Sequence, residues 1–127
     1  MTFDSLENFK WPEQPPIPLF DLKFLNQFDN NTLKMRLLET FVRTVPGMCQ
    51  ELEDSFLNKD YKTLKDTAHK LKPNIDMMGI AIINEAIRNV EYCSLEGRDN
   101  HLQKEVQLIN TILKEVVSAF KLMIAKD

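Results

Sequence analysis

The 127-residue sequence predicts an all-α fold: an antiparallel four-helix bundle with a short extra N-terminal helix and an extended proline-rich arm. Three observations carry this expectation. From Asp21 onward, apolar residues recur at intervals of three and four, the spacing that lines up one face of an α-helix. No stretch alternates polar and apolar residues for long enough to make a half-buried strand. Clusters of Asn, Asp and Gly divide the pattern into amphipathic segments joined by short connections, which stack most simply side by side in alternating directions.

Residues 1–19 read as the arm and residues 20–127 as the bundle. Trp11-Pro12-Glu13-Gln14-Pro15-Pro16-Ile17-Pro18 is not helical, because proline removes backbone donors and restricts the residue before it. Trp11, Ile17 and Leu19 are expected to staple the arm to the domain; a proline-rich docking ligand is the alternative. Asp21 can cap a short helix carrying Leu22 and Leu25. Capping side chains at Asp29, Asn30 and Asn31 then open a long helix with Leu33, Leu37, Phe41, Val45, Met48, Leu52 and Phe56 on one face. That stripe runs through Pro46-Gly47, so one helix kinked there is expected.

Asn58-Lys59-Asp60 ends the long helix and caps the next, which runs from Asp60 to Gly79 with Tyr61, Leu64, Ala68, Leu71, Ile75 and Met78 in register. A following helix carries Ile83, Ala86, Ile87, Val90 and Cys93, and Gly97 suits a left-handed C-cap for it. After Asp99 and Asn100 as caps, Leu102, Val106, Ile109, Leu113, Val116, Phe120 and Met123 form a bundle seam.

Composition narrows the function. Sixteen Lys and Arg against nineteen Asp and Glu leave a net charge of −3, without the basic excess of a nucleic-acid binder. No apolar run has the ~20 residues of a membrane span, and the acidic, proline-rich start is no secretory signal. Three glycines cannot build a Gly-rich phosphate loop. Cys49 and Cys93 fall within helical patterns as small buried hydrophobes, which points to a reduced, cytoplasmic protein. Neither histidine has the spacing of a zinc site or a di-iron site, and nothing marks a serine-type nucleophile.

His69 is the residue with chemistry in reach. On a helical wheel it lies roughly 130° from the apolar face of its helix, and so faces solvent. Lys65 lies about 40° from it, Lys72 about 60°, and Lys62 on the same side two turns back, with Lys70 on the other side. This face combines a nucleophilic nitrogen with ammonium groups that can meet phosphoryl oxygens. His101 reads as an ordinary surface residue.

The string Ala68-His69-Lys70-Leu71-Lys72-Pro73-Asn74-Ile75-Asp76-Met77-Met78-Gly79 resembles the core motif of histidine phosphotransfer (HPt) domains, A-H-x-L-K-G-x-x-x-x-x-G, and the order of elements resembles that family from Asp21 to Lys126. The resemblance implies a phosphorelay intermediate. His69 would accept a phosphoryl group from a receiver-domain aspartate and pass it to another, with Lys72 neutralising the phosphoryl oxygens and Lys65 as a further candidate from the wheel. Gly79 would permit close packing, and Pro73, Asp76 and Lys62 would border the docking surface, with Asp66 and exposed apolar residues beside them. Leu71 would anchor the helix rotation that keeps His69 outward. Where the family has glycine this chain has Pro73, which removes the amide that would bond the His69 carbonyl and should bend the helix.

The implied partners are receiver domains of response regulators or hybrid histidine kinases, with no nucleic acid and no membrane. The chain would need no cofactor of its own, since Mg2+ belongs to the receiver, and no ATP-binding or kinase activity. A free-standing monomer is expected. The competing readings are a receiver-binding adaptor that takes no phosphate and a plain helical interaction module. A sensor-kinase phosphoacceptor helix fits less well, because Lys70 stands where an acidic residue typically follows the histidine.

Overall fold

A computed structural model describes residues 18–126. The expected arm lies outside the described residues apart from its last two positions, of which Leu19 packs against the core. Four α-helices follow: α1 (Asn31–Leu57), α2 (Tyr61–Met77), α3 (Asn84–Glu91) and α4 (Leu102–Ala125). Among the described residues there are no strands. Each helix packs against its neighbours in sequence, and α4 closes the ring against α1.

The expected short N-terminal helix is a turn followed by a single 3-10 turn at Leu25–Gln27. Asp21 does place its carboxylate on a backbone amide, that of Lys23 at 2.9 Å, but Phe28 leaves the turn in an extended conformation and the helix stops. Leu25 still reaches the core.

α1 is capped by the Asn30 side chain, which accepts from the Leu33 amide at 3.0 Å, and the helix runs on through Pro46 as expected. Its buried face is Leu38, Phe41, Val45, Cys49, Leu52 and Ser55, so Phe41, Val45 and Leu52 stand where expected, while Leu37, Met48 and Phe56 are half-buried against the core and Leu33 is exposed. Phe120 of α4 receives Phe41 and Phe20 edge-to-face, with centroids 5.1 Å and 5.0 Å away.

In α2 the agreement is close. Leu64, Ala68, Leu71 and Ile75 are all but inaccessible. Burial of each larger side chain contributes roughly 1.5–3 kcal/mol, far more than any surface contact, so these positions fix the rotation of the helix and turn the opposite face outward. Asp60 caps it through the Thr63 amide, at 3.2 Å, and the Thr63 hydroxyl. Those bonds hold the Asp60 carboxyl below its ordinary value.

The helix after the turn is shorter than expected. A 3-10 turn at Ala81–Ile83 feeds α3, which ends at Glu91, leaving Cys93 buried just beyond it. Gly97 has a left-handed φ of +67° but stands in the α3–α4 loop against the Tyr61 ring, away from the helix end. Asp99 binds the Ser94 amide at 2.7 Å instead of capping α4, which starts at Leu102 without a side-chain cap.

Candidate functional site

α2 and α3 form an antiparallel hairpin whose pairing is symmetric about Ile80. His69 and Glu91 stand eleven residues either side of it, Lys72 and Arg88 eight, and Asp76 and Asn84 four. The hairpin turns at Gly79, whose φ of +61° is the left-handed region that favours glycine. A side chain there would also run into the backbone and Cβ of Asp21, whose amide donates to the Met78 carbonyl at 3.1 Å. Gly79 therefore does permit a close approach, and what approaches is the N-terminal segment.

His69 is solvent-facing as the wheel predicts, with its side chain 75% exposed. Its immediate neighbour is one that sequence reasoning missed: Oε1 of Glu91, 2.7 Å from Nδ1. The Glu91 side chain is only 13% exposed, and Oε2 is buried without a hydrogen-bond partner. An ionised carboxylate can only accept, so with Glu91 ionised the contact calls for a proton on Nδ1, and a neutral ring then carries its lone pair on Nε2. Glu91 thus orients the imidazole and favours the tautomer that leaves Nε2 free. The residue numbers did hold a signal for it, since it is the hairpin mirror of His69, but that signal requires the position of the turn.

The lysines divide. Lys65 Nζ donates to the Cys93 carbonyl at 2.9 Å, which ties it to the end of α3. There it opposes the effect of burial, which raises the Cys93 thiol above its ordinary value. Lys70 reaches across to Glu51 of α1, 3.9 Å away, on the opposite side as expected. Lys72 is exposed, and with Asp76, Asn84, Ile87 and Arg88 it lines a cavity of about 150 Å³ between α2 and α3. Lys62 is exposed in the first turn of α2, two turns from His69. Pro73 is exposed within α2, which continues past it to Met77. The lysine-flanked imidazole of the wheel thus becomes an imidazole held by a carboxylate, with Lys72 one turn away.

Beyond Glu91, the exposed apolar side chains nearest in sequence are Tyr92 and Leu95. His101 is exposed at the start of α4. Among the described residues, no group of three or more His, Cys, Asp or Glu side chains is placed to hold a metal ion. No described helix is long and apolar enough to cross a membrane.

The fold resembles that of the histidine-containing phosphotransfer protein B (HptB) of Pseudomonas aeruginosa PAO1, with a TM-score of 0.76 over 87% of this chain and 97% of that one, at 20% identity. No curated protein matches the sequence. The family model of the Hpt domain matches residues 36–124, which takes in all of α2 and α3 and the His69–Glu91 pair between them. The chain therefore belongs to the Hpt domain family.

Proposed function

We propose that this chain is a phosphorelay intermediate that accepts a phosphoryl group on Nε2 of His69 from a receiver-domain aspartyl phosphate and passes it to the aspartate of another receiver. The observation that carries the reading is the asymmetric contact of the imidazole: Nδ1 is held by Glu91 at 2.7 Å while the ring remains exposed.

In the accepting step the Nε2 lone pair attacks phosphorus. An N–P bond forms as the P–O bond to the donor carboxyl breaks, and the donor leaves as carboxylate. The positive charge that develops on the ring is met by Glu91 through the Nδ1 proton, which stays in place. The reverse displacement, with a receiver carboxylate as nucleophile, returns the neutral imidazole. Phosphoryl transfer asks mainly for positioning and charge stabilisation, and the His69–Glu91 pair supports the first while Lys72 offers the second.

The partners are receiver domains of response regulators or hybrid kinases, which bring Mg2+ and their own acidic cluster; the chain acts as a phosphocarrier without ATP-binding chemistry of its own. Tyr92 and Leu95 supply apolar surface for docking, and Pro73, Asp76 and Lys62 its polar surroundings. Labelling with phosphoramidate tests the assignment. Wild type, His69→Gln and His101→Gln are compared, and the expected result is one acid-labile, base-stable phosphoryl group lost only in His69→Gln. A folded wild type that binds receivers but takes no label would favour the adaptor reading instead.

A further inference from the structure

Lys72 and Arg88 face one cavity from opposite helices, one turn from the His69–Glu91 contact, on its Gly79 side. Along each helix the offset from that contact is three residues, about 4.5 Å of rise. Both are exposed, and among the described residues neither takes part in an ion pair, whereas His69, Lys70 and Arg98 each do. Asp76 lines the same cavity one turn further from His69 without pairing to either cation. Two like charges sharing a cavity repel each other, and an anion placed between or beside them turns that repulsion into attraction.

Resting on the phosphoacceptor reading, we infer that Arg88 is a second phosphoryl-binding residue, acting with Lys72 as a two-cation clamp on the phosphoryl oxygens once His69 is phosphorylated. Arginine suits the task because its planar fork can bond two phosphoryl oxygens at once, while Lys72 supplies a point charge from the other side. The 2.7 Å contact with Glu91 leaves Nε2 as the attachment point, so the clamp meets a group whose position is already fixed.

The test uses the full chain labelled with phosphoramidate, with the phosphohistidine followed by 31P NMR across pH in wild type, Lys72→Ala, Arg88→Ala and Arg88→Lys. A cation beside the phosphoryl group favours its dianion. Removing Arg88 should therefore raise the pH of its second ionisation by roughly half a pH unit, about threefold in proton affinity. Arg88→Lys should restore most of the difference, a rescue that a purely structural role would not give. Circular dichroism confirms that each variant is folded. A labelled wild type and a labelled Arg88→Ala that titrate alike would overturn the inference alone. The same holds if Arg88→Ala slows transfer to a receiver while its phosphoryl titration is unchanged, since the anion met by Arg88 would then be a partner carboxylate. A folded wild type that takes no label overturns the phosphoacceptor reading and this inference with it.

Discussion

Oε1 of Glu91 lies 2.7 Å from Nδ1 of His69, and the acceptor is far more buried than the ring it holds. A mostly covered side chain thus positions an exposed one, and its second carboxylate oxygen is buried without a hydrogen-bond partner. Burying an unpaired acceptor costs stability, so this contact is kept against the interest of folding.

Replacing Glu91 separates these two effects. Glu91→Gln keeps an acceptor for the Nδ1 proton and should label with phosphoramidate within about threefold of wild type. Glu91→Met has none and should label roughly tenfold more slowly, the loss of one charge-assisted hydrogen bond. By removing the orphaned oxygen, Glu91→Met should also raise the melting temperature by about 3 °C. Thermal denaturation and labelling kinetics on the same samples check both; a fall in melting temperature would contradict the stability argument.

Two glycines should respond to alanine with opposite signs. At Gly79 the methyl group meets Asp21 and the backbone has a φ of +61°, so Gly79→Ala should destabilise by about 3 kcal/mol. At Gly47, inside α1, nothing lies within 4 Å of the added carbon, and Gly47→Ala should stabilise by roughly 0.5–1 kcal/mol. Urea unfolding of the two variants is the measurement.

Pro73 leaves the His69 carbonyl without its amide partner one turn on. Pro73→Ala restores that amide on an exposed helix position and should stabilise by roughly 1–3 kcal/mol. The ring faces solvent, so His69 labelling should change less than twofold; a larger change would show that proline shapes the acceptor itself.

The thiols give a pH prediction. Burial pushes Cys49 up to about 11 from 9.0, with Lys114 opposing, and raises Cys93 as well. A folded-state value above the unfolded one means that the stabilisation is complete below pH 9 and disappears as pH rises toward 11. Urea unfolding between these limits should therefore show a steeper loss for wild type than for Cys49→Ala. At pH 8, iodoacetamide should modify both native thiols at least roughly tenfold more slowly than those of the urea-unfolded chain.

The sequence made α2 legible almost residue by residue, because Leu64, Ala68, Leu71 and Ile75 keep a strict helical spacing and nothing competes with it. The exposure of His69 followed from the same pattern. Glu91 was not legible, since on α3 alone it is one polar residue beside buried Val90, and only the packing of two helices makes it a partner. The fate of Lys65 was hidden for a related reason: its ammonium goes to a carbonyl freed where α3 ends, and sequence extended that helix to Cys93. In α1 the sequence located Phe41, Val45 and Leu52, but apolar side chains flank both sides of the stripe, so periodicity alone did not choose between Leu37 and Leu38 or between Met48 and Cys49.

The symmetry of the hairpin about Ile80 makes the turn set the register of the proposed phosphoacceptor pair three helical turns away. Adding or deleting one residue between Gly79 and Asn84 would advance or retard α3 by about 100° of phase and 1.5 Å of height. Glu91 would then rotate off the imidazole and Arg88 off the cavity, while every residue named in the site remained in place in the sequence. On the proposed function, a length change in this connection is therefore a way to silence the acceptor without substituting any part of it.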